Sequence, residues 1–132
     1  MSAQTIPSHL PELPIYQKAK DIFVLSHNIS TYLRDDLMLL DHEGNESEYI
    51  YFSGDIVQQS NSLAPHILKA ELEVFQENRH KHVTSVRKLT NRLYRNCVRL
   101  EKSNSNGKDY LKVLKSELKK FNKLQKTWAL TL

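Results

Sequence analysis

Apolar residues return at alternating spacings of three and four in four stretches of the chain, the rhythm of one face of a 3.6-residue helix. In the first stretch the positions are Ile15, Ala19, Ile22, Ser26, Ile29 and Leu33, with Tyr16, Phe23 and Tyr32 widening the face. Pro14 suits a first helical turn, so the spacing predicts a helix over about 14–34. Ile56, Ser60, Leu63, Ile67, Ala70 and Val74, flanked by Val57, Leu68 and Phe75, predict a second over about 47–76. Pro65 falls inside it and removes a backbone N–H at a cost of about 3 kcal/mol, which predicts a kink near Asn61 to Ala64. The third helix, over about 81–102, carries Val83, Val86, Thr90, Leu93, Cys97 and Leu100. Its start is placed at Glu77 to His80 on Asn78 and a change from acidic to basic composition, without a Gly or Pro to mark it. It ends at Ser103-Asn104-Ser105-Asn106-Gly107, where Gly107 can take the left-handed conformation. Leu111, Leu114, Leu118, Phe121, Gln125 and Trp128 predict the fourth, over about 108–130.

Four narrow apolar stripes are buried most simply in an all-α, up-down four-helix bundle. A chain of 132 residues fits one domain and can bury roughly two-thirds of the surface of its unfolded form, without metals or disulfides. That domain is residues 14–132. Residues 1–13, with two prolines in a polar background and Pro14 next, read as a disordered or extended N-terminal tail with Leu10 and Leu13 available to dock. Residues 35–48, DDLMLLDHEGNESE, read as a long acidic connection.

Charge changes the picture. Residues 1–78 hold four basic and twelve acidic side chains, a balance of −8, and residues 79–132 hold fifteen basic and three acidic, a balance of +12; together these give the net +4. Complementary halves of this kind suit copies that dock head to tail, which predicts a homo-oligomeric ring, and Leu37, Leu40 and Phe52 lack an obvious place in a single bundle. Between Arg79 and Lys102 there are eight Lys or Arg and one acid, Glu101, so the i+4 carboxylates that would neutralise a solvated helix face are missing.

Little in the chain points to catalysis. His80-Lys81-His82 is flanked by cations and short of carboxylates, so it does not predict a metal site. Asp41, Glu43 and Asn45 alternate as calcium ligands do, but Gly44 stands at the fourth place of the loop and no glutamate at the twelfth. There is no phosphate-cradling glycine loop and no nucleophile elbow, and His42 with Glu46 and Glu77 with His80 fall in a connection and at a helix boundary. The reading is not an enzyme, with no cofactor. Cys97, the only cysteine, lies on the apolar stripe and reads as a small hydrophobe. No run reaches the roughly 18 apolar residues of a membrane span and the N-terminus lacks the layout of a signal peptide, which predicts a cytoplasmic location.

Binding is what the pattern supports. Lys88, Arg92, Arg95, Arg99 and Lys102 repeat at helical spacing, with Arg87 beside them, and Lys112, Lys115, Lys119 and Lys123, continued by Lys126, form a second ladder on the fourth helix. Such ladders can follow the phosphates of RNA or DNA, while Tyr94 and Tyr110 are near enough to offer stacking faces to unpaired bases. Arginine forks favour bidentate phosphate contacts, so the third helix is the structured contact and the lysines of the fourth the diffuse field. No base-reading motif accompanies them, which predicts low sequence specificity. The competing reading is a helical protein-protein interaction scaffold with no nucleic-acid role, its basic face serving oligomer contacts alone.

Leu13-Pro14-Ile15-Tyr16-Gln17-Lys18, the basic third helix with Leu89, Arg92, Leu93, Arg95 and Leu100, and Trp128 near the end of the fourth resemble the accessory variability determinant proteins of diversity-generating retroelements, relatives of the four-helix-bundle proteins encoded in intervening sequences of ribosomal RNA genes. The resemblance covers about 13–130. It implies a pentameric, barrel-like, basic assembly that binds nucleic acid and a partner reverse transcriptase and takes part in complementary-DNA synthesis.

Overall fold

The computed structural model describes residues 9–37, 44, 49–103 and 106–132, and every regular element among them is helical. The α-helices are α1 (Pro14–Leu37), α2 (Tyr49–Asn61), α3 (Leu63–Leu72), α4 (Gln76–Leu100) and α5 (Tyr110–Leu130). Leu40, and all of the acidic connection 38–48 except Gly44, lie outside the described residues, as do residues 1–8.

The described part of the expected tail, from His9 on, is a docked turn and not an extended chain, with Leu10 as the docking residue. Leu10–Glu12 form a 3-10 turn, closed by the Leu13 N–H on the Leu10 carbonyl, and Leu10 is fully buried. Pro11 and Pro14 forbid an α-helix here but not one tight turn, which the Gln17 side chain holds by donating to the Pro11 carbonyl. At its other end α1 runs one turn past the expected stop, and Leu37 is buried at its end. Leu37 thus has a core role, and Phe52 packs half-buried against the core, so neither supports an oligomer in the way the sequence alone indicates.

The second expected helix is two. Asn61 has no amide partner at Pro65, and the chain bends at Ser62, whose N–H bonds the Gln59 carbonyl three residues back. Its hydroxyl donates to the Gln58 carbonyl. The helix then resumes and stops at Leu72, four residues short of the expected end. Val74, expected on the core stripe, is 82% exposed.

The boundary expected at Glu77 to His80 is helical, because nothing there breaks a helix. The connection is Glu73 to Phe75, built by side chains. The Glu73 carboxylate accepts the N–H groups of Val74 and Phe75, both at 3.2 Å, and the Arg79 guanidinium reaches back to the Glu73 carbonyl at 3.2 and 2.6 Å. Between α4 and α5, Gly107 sits buried in a 3-10 turn over Asn106–Asp109 and is not left-handed; among described residues only Gly44 has a positive φ. Its need for glycine is steric. A Cβ there would lie 2.4 Å from Tyr32 Cδ1 and 3.0 Å from Leu33 Cδ2.

α1 packs against α2 and α5, and α4 packs against α2, α3 and α5. The stripes read from α1 and α5 are buried at every position, with Ile22, Leu33, Leu111, Leu114 and Phe121 fully enclosed beside Ile56, Leu63 and Leu93. Small residues let α1 and α2 approach closely, where the Ser30 and Ser53 hydroxyls meet at 2.8 Å. Lys18 and Glu117 pair at 2.8 Å across α1 and α5. The Glu71 side chain, 9% exposed, ties three segments: one oxygen meets His9 Nε2 at 2.7 Å and the other accepts the Trp128 indole N–H at 3.0 Å.

Candidate nucleic-acid interface

Burying Val86, Thr90, Leu93, Cys97 and Leu100 turns the opposite face of α4 outward, so Arg87, Lys88, Arg92, Arg95 and Arg99 are exposed, with Lys102 in the turn that follows. On α5 the same logic exposes Lys112, Lys119 and Lys123. Arg87, Lys88, Arg92, Arg95, Lys102, Lys119 and Lys123 make no side-chain hydrogen bond or ion pair with another described residue. Lys112 is 3.9 Å from Asp109.

Lys115 differs from the rest of its ladder. Its ammonium lies 2.8 Å from Glu101 and 5.6 Å from the centre of the Tyr94 ring, and the hydrogen bond to Glu101 holds its pKa above the ordinary lysine value. It fastens α5 to the end of α4. Tyr94 is thereby half-buried under a cation, while Tyr110 is half-exposed and meets Tyr32 edge-on at 5.4 Å.

The arginine ladder borders α2. Arg99 stacks over Phe52, 5.1 Å from the ring centre, and donates from Nη1 to Asn96 Oδ1 at 3.0 Å. Asn96, 4% exposed, donates in turn to Gln59 Oε1 at 3.0 Å. Arg92, Arg95 and Arg99 line a depression of about 250 Å³ with Asp55, Gln59 and Asn96. The sequence alone does not mark Asp55, Gln59 or Asn96, and it marks Phe52 only as a residue without a place in a single bundle. Only Asn96 left a signal, since it falls three residues after Leu93 on the edge of the buried stripe.

The histidine singled out at the start of α4 has a different partner from the one its neighbours offer. His82 faces His66 of α3, with Nδ1 atoms 3.4 Å apart, and among described residues no group of three or more His, Cys, Asp or Glu is placed to hold a metal. Burial, then the charge of Lys69, then His82 push the His66 pKa below its ordinary value. A histidine depressed in the folded state binds fewer protons there than in the unfolded chain, so its contribution is present above the unfolded value of roughly 6.5 and is lost as pH falls through it. The melting temperature of the parent is therefore expected to drop more than that of His66→Gln between about pH 7.5 and 5.5. Parallel curves in a calorimetric pH series would remove His66 as the source.

No helix among the described residues is long and apolar enough to cross a membrane. A scan against models of protein families, a search of characterised proteins and a search of solved structures each return no match for the chain.

Proposed function

We propose that the chain is a non-enzymatic nucleic-acid-binding accessory protein, an up-down four-helix bundle in which α2 and α3 together form the second rod. It binds single strands of RNA or DNA through α4 and α5 with low sequence specificity. The observation that carries this reading is the unneutralised arginine ladder: Lys88, Arg92, Arg95 and Lys102 are exposed with no carboxylate of a described residue within the 4.0 Å of an ion pair, and Arg99 is aimed by Asn96 and Phe52. Cations left at repulsive spacing on a packed helix favour an anionic partner that follows the helix.

The chain acts in the cytoplasm as a homo-oligomer, a pentamer on the pattern that the resemblance to accessory variability determinant proteins implies, and meets a reverse transcriptase there. Val74, Phe75 and Leu130 support a protein contact, being 82, 69 and 88% exposed. They belong to one end of the molecule, where Gln76 donates to the Leu132 carbonyl. Light scattering at moderate salt is expected to give a multiple of the monomer mass, and a monomer at tens of micromolar protein would remove the oligomer. Anisotropy titrations of an unstructured oligonucleotide over a salt series test the binding: log affinity should fall with log salt at about 0.7 per phosphate neutralised. A parent with no salt-dependent binding to any polynucleotide would leave the interaction-scaffold reading in its place.

A further inference from the structure

The depression between α2 and α4 has a hydrogen-bonding polarity that charge alone does not give it. Arginine only donates, so the Asn96 atom that meets Arg99 must be its oxygen. Asn96 therefore turns its amide nitrogen to Gln59, and Gln59 must answer with its oxygen. Both polar ends of the buried Asn96 are consumed. The Gln59 amide nitrogen is left over, with two N–H groups that no described residue accepts, in the wall of the depression. Donors therefore dominate the lining, namely three guanidinium groups and the Gln59 N–H groups, while the Asn96 and Gln59 oxygens already accept hydrogen bonds. Asp55 is the single carboxylate, and it lies more than the 4.0 Å ion-pair limit from each arginine.

We infer that this depression is a discrete seat for one phosphate group, with Asn96 as the positioning residue that aims Arg99 and Gln59 into it. Oxyanions accept at every oxygen, and a wall of donors carrying three positive charges against one negative matches that chemistry. Pre-organisation distinguishes the seat from the rest of the ladder. Arg99 is held from two sides, by Asn96 and by the Phe52 ring, so little side-chain freedom is lost when it binds. Asp55 opposes the same ligand, which keeps the seat weak enough for a strand to leave. The inference rests on the nucleic-acid reading for its source of phosphate, yet the seat itself is independent of it.

Charge-matched variants separate a seat from a diffuse field. Gln59→Glu and Lys20→Gln each lower the charge by one, but the first keeps the oxygen that Asn96 needs and turns the free donors into acceptors, while Lys20 is exposed on α1, outside both ladders. Asp55→Asn and Glu77→Gln each raise it by one, the first inside the depression and the second at the exposed start of α4. The probes are inorganic phosphate, followed by the Arg side-chain N–H resonances, and an oligouridylate of roughly twelve nucleotides, followed by anisotropy, both at constant ionic strength. Gln59→Glu should weaken binding by about tenfold or more where Lys20→Gln changes it by about twofold or less. Asp55→Asn should tighten it severalfold and Glu77→Gln hardly at all, with all four variants melting close to the parent. Both probes responding in this way establishes the seat. The oligonucleotide alone responding makes a strand phosphate its ligand. Phosphate responding while no oligonucleotide binds leaves the seat as a site for free phosphate and overturns the nucleic-acid reading instead. Equal effects within each charge-matched pair, with salt-dependent oligonucleotide binding intact, overturn the seat and leave that reading standing.

Discussion

Trp128→Ala is expected to cost about 3–5 kcal/mol of stability. Two losses combine. The indole is 4% exposed on the buried stripe of α5, so truncation leaves a cavity where the neighbouring rods cannot fully close. The indole N–H also satisfies one oxygen of Glu71, and a largely buried carboxylate deprived of a donor adds its own penalty. Trp128→Phe separates the terms: it retains most of the apolar bulk and removes the N–H, and should cost about 1–2 kcal/mol. Urea unfolding at neutral pH measures both through the shift in midpoint at constant slope. A cost under about 1 kcal/mol for the alanine variant would mean that α5 does not need this anchor.

Converting Arg92, Arg95 and Arg99 together to Gln is expected to act on binding far more than on folding. Gln is nearly as good a helix former and relieves like-charge repulsion along α4, which offsets part of what Arg99 contributes through Asn96 and Phe52. The net cost should stay within about 1 kcal/mol, because the buried Asn96 oxygen is near enough to the surface for a glutamine amide or water to replace the guanidinium. Losing three phosphate contacts should flatten the slope of log affinity against log salt by roughly 2 units, and weaken RNA and DNA of unrelated sequence alike. The corresponding change at Lys115, Lys119 and Lys123 should flatten it less. Lysine lacks the bidentate fork, and Lys115 is already engaged by Glu101. An unchanged slope for the arginine variant would place the phosphate contacts elsewhere.

The apolar spacing carried the core because burial of a stripe is a local property of a helix. All six positions read in α1 and all six in α5 are buried, whichever neighbours cover them. Boundaries were legible only where a backbone rule marks them. Pro14 opens α1 and Pro65 interrupts the second rod, whereas the turn at Glu73 to Phe75 depends on a carboxylate capping its own successors and on Arg79 reaching back six residues. No Gly or Pro announces that arrangement. The same limit applies to the candidate interface. The cationic ladder could be read from one helix, but Gln59 and Asn96 are 37 residues apart in sequence and meet only because α2 packs on α4. Gly107 shows the reverse case, a residue recognised for the right place and a different reason: not a left-handed turn but the approach of Tyr32.

Cys97 lies wholly inside the molecule, and burial, with the Glu101 charge adding to it, pushes its thiol up to about 12. Thiol–disulfide exchange requires a thiolate that can reach another sulfur, so the folded protein has almost none to offer at neutral pH. An assembly found in solution is therefore held by surfaces and not by covalent cross-linking through this residue, and reducing agent should leave its mass unchanged. A cysteine introduced on the exposed face of α4 would be the only reactive thiol of the folded chain, and a dye could be placed beside the arginine ladder without first removing the native one.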